Sequence, residues 1–201
     1  YTSLITGGLA LIVSAHLLYA LTTPSIYRLS QSGSIERLER MIERGANVNS
    51  SKLGYTPLHI AAQNGNAPAV SLLIRAGARL DDLKDNWESP LHSAIRNGNV
   101  EPMKEILEAG ANPNISPNPP LVWAIQRGQV ECALVLLDHG AEAAAKDADG
   151  VPALFYAILL EDTRLINALI EHGASLSQLT SDGESLSDWL EARGHTSAQT
   201  F

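Results

Sequence analysis

A Gly-Ala dipeptide recurs at an almost constant interval, and this periodicity constrains the fold more than any other feature of the chain. The dipeptide occurs five times, with spacings of 32, 33, 30 and 33 residues, and begins at Gly45, Gly77, Gly110, Gly140 and Gly173. A fixed period of this size predicts a stack of repeated units that bury their apolar sides against one another. Because such stacks present an extended concave surface, the periodicity points to a binding partner rather than to a reaction.

The unit around residues 54–78 shows how each repeat is built from two helices. Thr56 can cap the first helix through its hydroxyl, and Pro57 follows at the first helical position, where its missing amide proton costs nothing. Gly65 and Gly77 stand where the two helices should end, because glycine adopts the left-handed conformation of a helix end at little cost. The pattern therefore predicts a helix, a short turn, a second helix and a longer loop.

This unit resembles the ankyrin repeat, which begins its first helix with Thr-Pro-Leu-His, as residues 56–59 do. The Leu-Leu-x-x-Gly-Ala ending at residues 136–141 and the asparagine after Gly-Ala, at Asn47 and Asn112, are also similar to that family. The resemblance covers roughly residues 24–195, with about five repeats and a C-terminal half-repeat. It implies an all-α fold, an ankyrin-repeat solenoid of helix pairs with β-turn fingers that occupies residues 24–201. The composition of residues 1–23 separately predicts one transmembrane helix before it.

Three positions depart from the repeat pattern. The loop between Gly110 and Pro120 is short and rich in proline, so we expect a stunted finger there. Glu161 replaces the glycine between the two helices, which would cost about 1 kcal/mol in the left-handed conformation. Trp87 replaces the turn glycine of other units, and a large aromatic residue at a fingertip suggests a contact with a partner.

The distribution of charge limits the classes of partner. The net charge is −8, and no residue before Arg28 is charged, so the acidic residues all belong to the repeats. An acidic domain argues against nucleic acid, and it fits a basic protein partner or simple solubility. The single cysteine, Cys132, excludes an internal disulfide, leaves the compartment open and is expected to be a buried thiol in a second helix.

Residues 1–23 form an uncharged, mostly apolar segment, and we interpret them as a single-pass transmembrane helix. As a helix they would extend ~34 Å, enough to cross a bilayer. A stripe of small or polar side chains would face a partner helix, through Thr6, Gly7, Ala10, Ser14 and His16. The alternatives are lipid exposure of this stripe and a cleaved secretory signal, for which Leu18-Tyr19-Ala20 is a poor cleavage site.

The side of the membrane on which the repeats lie is left open by the sequence. Four arginines follow the segment, which favours a cytoplasmic repeat domain, at Arg28, Arg37, Arg40 and Arg44. These arginines belong to a folded unit, so a periplasmic or other exterior location remains the alternative. Only a few residues separate the segment from the first repeat, and the repeats are therefore expected close to the membrane surface.

No motif for catalysis, a metal or a cofactor is found in the sequence. His59 and His92 belong to the Thr-Pro-Leu-His pattern, and His139 and His172 each precede a helix-ending glycine, where a partial positive charge suits the helix dipole. No Cys and His pair shows zinc spacing, and no phosphate-binding or dinucleotide-binding motif occurs. We therefore predict a protein that is not an enzyme, without catalytic residues, a metal, a cofactor or a small-molecule substrate.

The ankyrin resemblance implies that fingertips and first helices line the binding surface. The predicted partner-binding residues, located by their position in the repeat, are Tyr55, Trp87, Glu88, Arg96, Trp123, Arg127, Tyr156, Leu159 and Leu160. Trp123 and Tyr156 hold the same position in the repeat, one repeat apart, so they should be neighbours and could form one apolar patch with Leu159 and Leu160. Aromatic anchors of this kind often provide much of the binding energy. The alternative is that Trp123 and Tyr156 pack between repeats.

Two functions follow from these features. The first is a membrane-anchored protein–protein interaction module, an accessory or scaffolding subunit of a larger membrane protein complex. The second is a tethered or exported regulatory binder of one protein, such as an inhibitor, an immunity factor or an assembly chaperone. In both, the partners are proteins, with another membrane protein among them in the first.

Overall fold

Pairs of short helices follow one another through the part of the chain that the computed structural model describes, residues 25–84, 87–115 and 117–175. Each pair joins a seven-residue helix to a nine-residue helix. Within the described residues no β-strand occurs, and only isolated bridges, Lys52 to Tyr55 and Lys146 to Pro152, mark the fingers. The helices are α1 Ile26–Ser32, α2 Ile35–Glu43, α3 Pro57–Gln63, α4 Ala67–Arg75, α5 Pro90–Arg96, α6 Val100–Glu108, α7 Pro120–Gln126, α8 Val130–Asp138, α9 Ala153–Leu159 and α10 Thr163–Glu171.

The helices begin and end where the sequence pattern predicts. The Thr56 hydroxyl accepts the His59 amide, and the His59 ring reaches back to the Thr56 amide at 3.2 Å, so the two residues form a capping box. Ser89 and His92 repeat this arrangement at the start of α5. Gly65 ends α3 in the left-handed conformation, with φ +72°. Both histidines of the Thr-Pro-Leu-His pattern thus serve the helix starts, a role that the sequence pattern did not assign to them.

The helices stack in two rows. The first helix of each pair packs on the first helices of neighbouring pairs, and the second helices do the same among themselves. Leucines at equivalent positions of α3, α5, α7 and α9 are buried in the common core, and an alanine three residues after each is fully buried. Small residues at this position let neighbouring first helices approach closely, and the leucines gain the free energy of apolar burial.

Asparagines in two of the loops bond one repeat to the next. The Asn49 amide donates to the Gly77 carbonyl at 3.0 Å, and its oxygen accepts the Arg79 amide at 2.8 Å. Asn114 makes the same pair of bonds with Gly140 and Glu142 two repeats later. Each asparagine therefore satisfies a carbonyl and an amide beyond the end of a second helix, and it fixes the register of neighbouring repeats.

The predicted departures from the repeat have structural counterparts. Glu161 has φ +56° and Trp87 has φ +62°, so both residues adopt the left-handed conformation of the glycines that they replace. The loop after Gly110 forms no bridge among its described residues, as expected for a shortened finger. His92 nevertheless keeps its contact with this loop, through Nε2 and the Asn118 carbonyl at 2.8 Å.

The predicted transmembrane segment, residues 1–23, lies outside the described residues, as do Thr6, Gly7, Ala10, Ser14 and His16. Between residues 25 and 175, no described helix is both long enough and apolar enough to span a bilayer. The described helices form repeats around a continuous apolar core.

Candidate protein-binding face

The first helices and the fingers share one continuous surface, which we name the first-helix face. Contacts between the two kinds of element show this continuity: Arg96 of α5 pairs with Glu88, and Gln126 of α7 donates to Asp147 of the last finger at 3.2 Å. The half-buried or exposed residues that the first helices and their C-terminal caps contribute include Tyr27, Arg28, Gln31, Ile60, Gln63, Asn64, Arg96, Asn97, Trp123, Gln126, Arg127, Tyr156, Ile158, Leu159 and Leu160.

A buried group of charges supports the finger that carries Trp87. The Glu88 carboxylate lies 2.6 Å from Lys84 Nζ and also pairs with the Arg96 guanidinium. Lys84 in turn donates to the Tyr55 hydroxyl at 2.7 Å and lies over the Tyr55 ring. These residues, Tyr55, Lys84, Glu88 and Arg96, form what we call the Glu88 cluster. A carboxylate between two cations compensates much of the desolvation that burial imposes on all three charges.

The exposure predicted for Glu88 is wrong. Only 2% of this residue is exposed, and its carbonyl oxygen accepts a contact from His59 Nε2 at 3.2 Å. The repeat pattern places Glu88 near a fingertip, but Lys84 and Arg96 converge on its carboxylate and draw it inward. Glu88 thus supports the finger from within and is not available on the surface. Arg96, also predicted to contact a partner, remains about one-third exposed while it pairs with Glu88.

Trp87 projects from this supported finger. It is 57% exposed although its backbone is in the left-handed region, with φ +62°. The Trp87 amide donates to the Lys84 carbonyl at 2.9 Å, and Lys84 is itself held by Glu88. A large aromatic residue in this conformation persists only where its surroundings determine it strongly. The hydrogen bond to Lys84 ties the backbone of Trp87 to the Glu88 cluster, and the indole ring lies exposed at the fingertip.

Trp123 is held between two residues and is only partly exposed. The His92 ring meets it edge-on, with centroids 5.5 Å apart, and the Arg127 guanidinium lies 3.8 Å from its ring centroid. Its indole Nε1 is buried and has no hydrogen-bond partner among the described residues. Arg127 itself is exposed, and this cation–π contact fixes its charge above α7.

Tyr156 is anchored to the last finger. Its hydroxyl donates to Asp147 Oδ2 at 2.5 Å, while Oδ1 of the same carboxylate accepts the amides of Asp149 and Val151, each at 2.9 Å. Burial, followed by the hydrogen bond to Asp147, raises the pKa of Tyr156 to about 12. The tyrosine therefore stays neutral and donates its proton to Asp147 throughout the physiological pH range.

The four residues of the predicted apolar patch differ in exposure. Leu159 and Leu160 are 41% and 42% exposed, as the pattern predicted. Trp123 and Tyr156 are partly buried against the core, and each has its own polar partner, Arg127 for the first and Asp147 for the second. The leucines thus form the exposed apolar part of the face, and the aromatic residues are partly covered.

An open pocket that the sequence did not indicate lies between α1 and α3. It has a volume of about 360 Å³ and is lined by Tyr27, Arg28, Gln31, Ile60, Gln63 and Asn64. The repeat frame aligns Arg28 with Ile60, Trp123 and Tyr156, so this pocket continues the row of side chains that the aromatic residues occupy. Recognising this alignment of Arg28 would have added it to the predicted site.

The histidines and the cysteine are buried or lie at helix ends. Burial lowers the pKa of His59 and lowers that of His92 to about 4, and it raises the pKa of the Cys132 thiol to about 11, as suits the buried thiol expected. His139 and His172 cap the ends of α8 and α10, where each ring contacts a carbonyl oxygen at 2.8 Å. Within the described residues, no group of His, Cys, Asp or Glu side chains could hold a metal ion.

Comparisons with known proteins agree with this architecture. A family model described as "Ankyrin repeats (3 copies)" matches residues 26–117 and 116–180. The chain is 30% identical over 149 residues to a putative palmitoyltransferase ZDHHC13 of Danio rerio, a match that covers 74% of this chain and 19% of the relative. It is 32% identical over 130 residues to the ankyrin repeat protein nuc-2 of Neurospora crassa, covering 63% of this chain and 9% of that one.

A shorter match, 38% identical over 56 residues, is to the 2-5A-dependent ribonuclease of Mus musculus, covering 27% of this chain and 8% of that protein. The chain thus spans between 8% and 19% of the length of these curated relatives. The similarity to these relatives therefore concerns a small part of each of them. The family model matches most of this chain, residues 26–180. The chain belongs to the ankyrin-repeat family, and its described part is a protein–protein interaction module of all-helical repeats.

Proposed function

We propose that this chain is a membrane-anchored protein-binding module that serves as an accessory or scaffolding subunit of a larger membrane protein complex. The first-helix face receives a protein partner, and residues 1–23 hold the module at the bilayer. The repeats lie on the cytoplasmic side in this proposal, because arginines such as Arg28 and Arg37 closely follow the segment. No catalytic activity is assigned to the chain.

The observation that carries the binding role is the presentation of Trp87. A tryptophan at a fingertip exposes a large apolar surface, and a backbone held in one conformation lowers the entropy that is lost when a partner binds. The Glu88 cluster supplies that fixed conformation at the expense of burying charges. An ordinary turn glycine, as at Gly150 in the last finger, would need no such support.

The membrane role rests on the composition of residues 1–23. The segment lacks charge, has the length of a bilayer span and carries small residues at four-residue spacing, at Thr6, Ala10 and Ser14. A partner that contributes both a transmembrane helix and a soluble surface would contact this stripe and the first-helix face together. Two linked contacts of this kind bind more strongly than either alone.

The complex can be tested by purifying the tagged full chain from native membranes in a mild detergent and identifying the proteins that co-elute. Near-equal amounts of a defined set of membrane proteins would support the accessory subunit. Partners that are soluble or far below equal amounts would instead favour the tethered regulatory binder. Recovery of the chain in the soluble fraction without residues 1–20 would refute the anchor, because it would mean that the segment is a cleaved signal.

A point substitution tests the binding face in the same purification. Trp87→Ala should reduce the recovered partner at least tenfold without changing the helical circular dichroism spectrum, because Trp87 is mostly exposed. Ile170→Ala is the matched control, since Ile170 is 45% exposed but lies on a second helix, away from the face. Equal recovery with Trp87→Ala and with the control would refute the role of the fingertip.

A further inference from the structure

The rows of helices carry different charge. The first helices and the residues that cap them contain Arg28, Arg96 and Arg127 and no carboxylate. The second helices carry both signs of charge, with an excess of carboxylates: Glu36, Glu39, Glu43, Glu101, Glu105, Glu108, Glu131, Asp138 and Glu171 against Arg37, Arg40, Arg75, Lys104 and Arg164. Of these two rows, the first helices are therefore basic and the second helices are acidic on balance.

Two of the three arginines on the first-helix face retain an uncompensated charge. Arg28 and Arg127 are exposed, and neither has a described carboxylate within 4.0 Å. Arg28 borders the open pocket between α1 and α3, and Arg127 is held on the Trp123 ring. Arg96 differs, because it is paired with Glu88. The first helices thus present two exposed guanidinium groups that have no described carboxylate beside them.

No described carboxylate of the fingers lies within 4.0 Å of these arginines, and four of the finger carboxylates have contacts of their own within the fold. Asp82 lies 3.9 Å from Arg79, and Glu88 is buried between two cations. Asp81 accepts the Asn112 amide at 3.1 Å, and Asp147 accepts backbone amides and the Tyr156 hydroxyl. Glu161, exposed in the turn after Leu160, borders the apolar end of the face rather than the arginines.

We propose that the first-helix face binds an extended, acidic peptide segment of a protein partner, with carboxylates at Arg28 and Arg127 and an apolar side chain at Leu159 and Leu160. The inference rests on the proposed binding function and adds the chemistry of the partner. Guanidinium groups bind carboxylates in a two-pronged geometry that an ammonium group cannot reproduce, and the exposed leucines supply the apolar contact.

The spacing of these groups sets the length of the segment. Arg28 lies on α1 and Arg127 at the end of α7, so their first helices are three repeats apart. Because neighbouring helices pack ~8–10 Å apart, the arginines are separated by ~24–30 Å. An extended peptide advances ~3.3 Å per residue, so about eight or nine residues connect the two sites. A further helix, α9, carries the leucines, and a segment of about twelve residues reaches all three contacts.

A random dodecapeptide library displayed on phage tests the proposal with the full chain in detergent. The selected peptides should carry a net negative charge and at least one large apolar residue. In fluorescence anisotropy, a selected peptide should bind at least tenfold more weakly to the double variant Arg28→Glu/Arg127→Glu. Binding should also weaken as salt is raised from about 50 to 300 mM, because the contact is electrostatic.

The control double variant is Arg37→Glu/Arg75→Glu, which changes the net charge equally but on exposed second-helix positions. It should bind the peptide within twofold of the unchanged chain. Exchanging the glutamates of the peptide for lysine should restore binding to the Arg28→Glu/Arg127→Glu variant. Circular dichroism melting curves of both variants verify that they fold.

The outcomes separate this inference from the proposed function. Selected peptides that are neutral or basic, or equal weakening in both double variants, would overturn the acidic segment. If such peptides still lost affinity with Trp87→Ala, the binding function would stand and only the assigned chemistry would fall. If no peptide were enriched and no partner co-purified from membranes, both proposals would fail.

Discussion

Stability should fall in mild acid because His92 is buried as the neutral ring. Burial lowers the pKa of His92 from 6.5 to about 4 in the folded chain. The folded pKa is therefore below the unfolded value, so the unfolded chain binds the proton first as the pH falls. The resulting loss of unfolding free energy is absent above about pH 6.5, grows as the pH falls towards 4 and is complete below that value.

The magnitude follows from the difference between the two states. At pH 5 most unfolded chains carry the proton on His92 and most folded chains do not, which corresponds to about 2 kcal/mol of lost unfolding free energy relative to pH 7. His59 adds to the loss in the same direction, because burial also lowers its pKa. Against a typical domain stability of ~5–15 kcal/mol, the effect is large enough to measure.

The perturbation is His92→Val, since the chain itself has Val122 at the equivalent position of α7. The variant should be less stable at pH 7, because it loses the contacts with Ser89 and the Asn118 carbonyl. Between pH 7 and pH 5, its unfolding free energy should also fall by about 2 kcal/mol less than that of the unchanged chain. Urea unfolding in mild detergent, followed by circular dichroism at both pH values, measures the two differences.

A second substitution, Val122→Ala, provides the control, because Val122 is buried at the equivalent position of α7 and carries no titratable group. It should leave the difference in stability between pH 7 and pH 5 close to that of the unchanged chain. The reasoning would be refuted if His92→Val lost as much stability between the two pH values as the unchanged chain does. That result would mean that the buried ring of His92 does not resist protonation.

Three further substitutions test the backbone and the buried charges. Glu161→Gly should raise the unfolding free energy by about 1 kcal/mol in thermal melts, since the residue has φ +56°; a loss would contradict the strain. Glu88→Gln should lower the unfolding free energy by about 3 kcal/mol, because Lys84 stays buried with a weaker partner. The control Glu101→Gln, at an exposed carboxylate, should change it by less than about 0.5 kcal/mol. Asn49→Ala should cost about 1–2 kcal/mol in urea unfolding through two lost bonds between repeats, and an unchanged midpoint would refute that role.

The helices of the fold could be predicted because each of their signals is local. Thr56, Pro57 and Gly65 act on backbone within a few residues of themselves, so the start and end of α3 follow from the sequence. The periodicity then gives the stacking, since identical faces recur at each unit. Even the departures at Trp87 and Glu161 were visible, because a side chain stood where the pattern required a left-handed glycine.

The candidate site was predicted less completely, because its properties depend on how the side chains of fingers and first helices meet in the fold. Glu88 was expected on the surface, but Lys84 from its own finger and Arg96 from α5 enclose it. The role of Asp147, which ties Tyr156 and Gln126 to the last finger, also depends on side chains that only the fold brings together. No spacing along the chain reveals which charges meet.

The sequence alone determined the repeat, the helix ends and the family, since these depend on short-range backbone preferences and on a period of apolar residues. Only the tertiary structure decided which charged groups are paired and which remain free on the surface. Glu88 is neutralised inside the fold, whereas Arg28 and Arg127 keep their charge on the first-helix face. The physical reason is that electrostatic energy depends on distance and burial in space, which the order of residues along the chain does not specify.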